Sequence, residues 1–87
     1  MLSVQQKQKL IEKFRTHASD TGSPQVQVAI LTEEIKFLTK HLKGHKKDHS
    51  SRRGLLKKVN ERRRLLKYLE REDPKAFKKL KDALELK

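Results

Sequence analysis

Eighty-seven residues, 33% hydrophobic and 39% charged, suffice for one small domain spanning residues 1–87. The formal charge of +12 points to polyanionic partners, and the absence of cysteine excludes disulfides, thiolate nucleophiles and thiolate metal sites together. The start, MLSVQQKQKLIEKF, has no secretory apolar core, and no stretch approaches the ~18 apolar residues of a membrane span, so a soluble, unprocessed chain of the reducing cytoplasm is expected.

Leu10, Ile11, Phe14 and Ala18 recur at helical spacing, and Ser3 with Gln6 forms a capping box ahead of them. A first amphipathic helix is predicted over about Val4 to His17. Asp20-Thr21-Gly22-Ser23-Pro24 then reads as a turn, with Gly22 suited to positive φ, Ser23 as N-cap and Pro24 in the first helical position. The second helix carries Val28, Leu31, Ile35, Leu38 and Leu42 in alternating steps of three and four, the seam of a helix packed on a nearly antiparallel neighbour.

Gly44 supplies the stop of that helix, and the short connection to Asp48 or Ser50 turns a third helix back along it. The third helix bears Leu55, Leu56, Val59, Leu65, Leu66 and Leu69, a stripe interrupted by Arg62 and Arg63, whose aliphatic stems can cover apolar neighbours. Asp73-Pro74 ends it and opens a short fourth helix with Phe77, Leu80 and Leu84 on one face. The fold class is therefore all-α, four helices, with the three phenylalanines read as core.

Function concentrates between Lys40 and Arg71, where thirteen Lys and Arg against three acids hold +10 of the +12. Nine cations on one helix (among them Arg52, Arg53, Arg64 and Arg71) repel each other, and Glu61 and Glu70 alone offer local relief, which implies an external polyanion. His41, His45 and His49 recur every four residues, a spacing that suggests zinc. The helix break at Gly44 and the lack of cysteine argue against it, and imidazole also serves as a hydrogen-bonding group. Asp48, a carboxylate amid Lys46, Lys47, Arg52 and Arg53, suits both an N-cap and an acceptor for a guanine amino group or a ribose hydroxyl in an RNA minor groove. No catalytic arrangement is present, so neither an enzyme nor a cofactor is expected. DNA binding and docking on anionic lipid are the rival readings of the charge, the latter weakened by the lack of Trp and Phe anchors on the third helix.

The run from Asp20 to Leu69, and within it Asp20-Thr21-Gly22-Ser23, Val26-Gln27-Val28 and His45-Lys46-Lys47-Asp48-His49 followed by Ser51-Arg52-Arg53-Gly54-Leu55-Leu56, closely resembles the S-fifteen family of small-subunit ribosomal proteins. The resemblance implies that the last three helices form an antiparallel bundle relative to which the first can move. It implies early binding to the central domain of small-subunit ribosomal RNA, at a three-way junction and a nearby helical minor groove. Thr21, Gly22, Gln27 and Tyr68 would meet the junction; His41, Asp48 and Ser51 would read the groove; His45, Arg52, Arg53, Arg64 and Arg71 complete the RNA-binding set. Neighbouring small-subunit proteins and large-subunit RNA are further expected partners of a chain monomeric when free. The sequence departs from the family pattern at Glu34, usually Arg, at Ser50, usually His, and in the tail from Phe77 to Lys87. Glu34 and the tail are accordingly kept off the RNA surface.

Independently of the resemblance, folding the second and third helices back around Lys46-Lys47 places residues whose numbers sum to about 94 opposite each other. Gln27 then faces the neighbourhood of Tyr68, and His41 that of Arg53. Fourteen residues separate the two polar clusters by about 21 Å of helix.

Overall fold

The computed structural model describes residues 3–14 and 23–84, all of them in four helices and the turns between them. Thr21, Gly22 and the expected continuation of the first helix to His17 lie outside the described residues. The first helix, α1, is Val4–Phe14. Its capping box is reciprocal: the Ser3 hydroxyl accepts the Gln6 amide at 3.1 Å and the Gln6 side-chain carbonyl accepts the Ser3 amide at 2.9 Å. The second, α2, is Pro24–Gly44, with Pro24 in its first turn and the Ser23 hydroxyl accepting the Val26 amide at 3.3 Å.

Gly44 ends α2 without adopting a left-handed conformation; the C-cap is His45, at φ −138° and ψ 61°. After a turn closed by the Asp48 amide on the His45 carbonyl (3.0 Å), α3 runs His49–Glu72. Asp73 then serves two helices. Its amide donates to the Leu69 carbonyl at the end of α3, and its carboxylate accepts the Ala76 amide at the start of α4, Pro74–Ala83.

Contacts between α2 and α3 fix their direction. Glu34 pairs with Lys58, Thr32 with Arg62, and Val28 shares a core cluster with Leu69, so numbers fall along one helix as they rise along the other. The helices are antiparallel, in the register expected from the fold-back about Lys46-Lys47. Val28, Leu69 and Leu80 form the buried centre, with Phe14, Leu65, Leu66, Phe77 and Leu84 packed around it, so α2, α3, α4 and the end of α1 share one core.

The buried face of α2 is wider than its seam: Val26, Ala29 and Thr32 are enclosed as well. Thr32 enters the core because its hydroxyl donates back to the Val28 carbonyl at 2.8 Å and accepts from Arg62 at 3.4 Å. Among the described residues Val4, Phe37, Leu56 and Tyr68 stand outside the core, and two of them were expected inside it. Leu56 is 60% exposed and Phe37 49% exposed, which corrects the expectation that every phenylalanine is core and that Leu56 belongs to the packed stripe. Phe37 lies one step off the seam that faces α3, and Leu56 lies on the half of α3 remote from the short α4. Among the described residues no helix is long and apolar enough to cross a membrane.

Candidate nucleic-acid interface

The α2–α3 turn assembles a polar cluster from residues of both helices. Asp48 is the N-cap of α3, and its Oδ1 accepts the Ser51 amide at 3.0 Å. Its Oδ2 accepts the Ser51 hydroxyl at 2.7 Å and meets His41 Nε2, from the last turn of α2, at 2.9 Å. The hydroxyl bond, the amide bond and the histidine, in that order, hold the Asp48 carboxyl far below the usual carboxylate range. It stays an anion, and an acceptor, at neutral pH.

Partners also assign the imidazole tautomers. A carboxylate only accepts, so His41 Nε2 carries hydrogen and its Nδ1 is left as an acceptor in the neutral ring. His45 Nδ1 lies 3.1 Å from the His41 carbonyl and must donate, which leaves its Nε2 as an acceptor. That bond also satisfies one of the orphan carbonyls at the C-terminus of α2. The two rings stack at 4.3 Å and 5° from parallel, and Phe37 continues the stack on His41 at 6.5 Å. Phe37 is the contact that sequence reasoning placed in the core; its four-residue spacing to His41 and His45 was the signal for it.

Cations frame this acceptor cluster. Arg52, exposed on α3, donates Nη2 to the Lys46 carbonyl at 2.7 Å and so braces the turn. Arg53 and Arg64 are exposed on α3. At the far end of the hairpin Tyr68 is 48% exposed, with the Arg71 guanidinium 5.8 Å from its ring centre and Arg71 Nε on Glu72 at 3.1 Å. Gln27 is exposed beside Val28, and Val28 packs with Leu69, the neighbour of Tyr68. The structure therefore brings His41, His45, Asp48, Ser51 and Arg52 together at one end of the hairpin, and sets Gln27, Tyr68 and Arg71 at the other. Glu34 faces inward, its carboxylate 3.3 Å from Lys58 and its side chain 13% exposed. Among the described residues no three metal-ligating side chains are gathered.

A family model described as Ribosomal protein S15 matches residues 7–87, a span that includes both ends of the hairpin. The chain belongs to the ribosomal protein S15 family. It is 59% identical over 81 residues to the small ribosomal subunit protein uS15 of Heliobacterium modesticaldum, covering 93% of this chain and 91% of that protein. Against the uS15 proteins of Halalkalibacterium halodurans and Desulforudis audaxviator, identity is 55% and 57% over 86 residues, 99% of this chain and 97% of each relative. The ribosomal protein S15 family is structural, not enzymatic, in keeping with an interface made of caps, cations and hydrogen-bond acceptors.

Proposed function

We propose that this chain is a structural component of the small ribosomal subunit that binds ribosomal RNA in the central domain early in assembly, all 87 residues acting as one RNA-binding unit. The cluster at the α2–α3 turn takes the minor groove of an RNA helix, and the opposite end of the hairpin, with Gln27, Arg64, Tyr68 and Arg71, takes a three-way junction, a contact to which the family resemblance adds Thr21 and Gly22. One observation carries this reading. The turn presents acceptors amid cations, namely His41 Nδ1, His45 Nε2, the Ser51 oxygen and the remaining lone pair of Asp48.

A surface serving phosphates alone would present donors throughout. Acceptors suit the guanine amino group and the ribose 2′-hydroxyl, the donors of the wide, shallow RNA minor groove. A DNA duplex has no 2′-hydroxyl, which favours RNA over the DNA reading. Rigidity matters as much as chemistry: the paired helices hold the two clusters about 21 Å apart, so docking both fixes the angle between two RNA elements. Contact with neighbouring small-subunit proteins and with large-subunit RNA belongs to the same proposal.

Gel-shift titration of a three-way-junction RNA from small-subunit RNA against a DNA duplex of matched length tests the reading. Tighter binding to the RNA at every salt concentration is expected. Combining His41→Ala with Asp48→Ala should weaken RNA binding by about tenfold or more, the loss of one to two good groove contacts. Equal RNA and DNA affinity, or unchanged RNA affinity of a folded double variant, overturns it.

A further inference from the structure

A concave feature lies between α3 and α4, on the C-terminal half of α3 and on a helical face other than the one that carries Arg64, Tyr68 and Arg71. Val59 and Leu66 of α3, one helical face apart by seven residues, form an apolar floor with Phe77 of α4. The space above them is about 230 Å³. That is below the ~300–1,000 Å³ of pockets for drug-sized ligands. A single planar ring system fits in it.

The rim is cationic with one exception. Arg63, Lys67 and Lys81 line the opening together with Arg62, whose guanidinium already reaches Thr32 at 3.4 Å. Lys81 sits 5.9 Å from the centre of the Phe77 ring. The exception is Glu70, which takes part in none of the ion pairs found among the described residues. Its carboxylate would repel an acidic peptide. A nucleotide meets every part of the rim: its base has a π face for the floor and for the Arg63 plane, its phosphates meet the lysines, and guanine alone offers two adjacent N–H donors to one carboxylate.

We propose that the α3–α4 groove is a separate pocket for one unstacked purine of an RNA strand, guanine in preference to adenine. Glu70 accepts the imino and amino hydrogens of the base, Arg63 stacks on it, and Lys67 and Lys81 hold the flanking phosphates. The choice of nucleic acid rests on the RNA-binding function proposed above; the pocket is apart from the turn cluster, lies on another face of α3 from Arg64, Tyr68 and Arg71, and brings Phe77 and Lys81 of the tail, which the family pattern kept off the RNA surface, onto it.

Amide chemical shifts of the full chain, titrated in parallel with GMP, AMP and inorganic phosphate, test it. GMP should move the signals of Val59, Leu66, Glu70, Phe77 and Lys81 together, with a preference over AMP of at least about fivefold, the lower end for a bidentate base contact. Glu70→Gln, an exposed and isosteric change, should bring that preference close to unity while leaving the melting temperature in place. Equal response to GMP and AMP, the same shifts from phosphate alone, or tighter binding of a short Leu/Glu amphipathic peptide at these residues overturns the proposal. The titration contains no junction RNA, so its failure would leave the junction and groove assignments intact.

Discussion

Asp48 ties local structure to the proposed recognition in one side chain. It caps α3, links α2 to α3 through His41, and remains ionised because Ser51 and His41 donate to it. A carboxyl whose folded pKa is depressed stabilises the fold above its unfolded value near ~3.9, and that contribution is lost as pH falls through the acid range. Thermal melts below about pH 5 should therefore show stability dropping as the pH is lowered, and Asp48→Asn should have a shallower acid slope than the parent. An identical slope in the variant would detach the carboxylate from the fold. The polar members of this cluster were legible in the sequence because they are exceptions in a cationic run. Their bonds to one another were not, since His41 and Asp48 stand seven residues apart on different helices and meet only when the turn at Lys46-Lys47 closes.

Helix boundaries were legible wherever a side chain caps its own backbone, at Ser3, Ser23, Asp48 and Asp73, because such bonds span three residues and need no tertiary contact. Coverage by another helix is different. The ten residues of α4 reach along about 15 Å of an α3 that is about 36 Å long, so Leu69 is covered, while Leu56, nearer the other end of α3 and about 140° around it, is not. Leu69→Ala should cost about 2–5 kcal/mol in urea unfolding, whereas Leu56→Ala should stay within about 0.5 kcal/mol. Similar costs at the two sites would contradict this packing. Helix α1 has no fully buried side chain and relies on its cap, so Ser3→Ala should cost it about 0.5–2 kcal/mol. Hydrogen exchange should quicken along Val4–Phe14, with α2 and α3 unchanged; uniform quickening would mean that α1 unfolds only with the whole chain.

At the scale of the molecule, a charge of +12 on a body 40 × 28 × 19 Å makes association with RNA a salt-dependent event. Affinity should fall with salt at a logarithmic slope of about −0.7 to −0.9 per phosphate neutralised. Arg53→Ala or Arg64→Ala should each reduce that slope by about one contact, while His41→Ala should lower affinity with the slope retained. A slope unchanged by the arginine replacements would remove those side chains from the phosphate contacts. Charge was legible from composition alone; which acceptors and cations share one end of the molecule needed the folded hairpin.

Each helix packs chiefly on its neighbour in the chain, α1 on α2, α2 on α3 and α3 on α4. Few long loops must close before favourable contacts form, and chains of such low contact order fold in microseconds to milliseconds. A protein that reaches its RNA already folded meets that RNA with the ordering entropy of the hairpin settled in advance, and its docking rate then depends on encounter rather than on refolding.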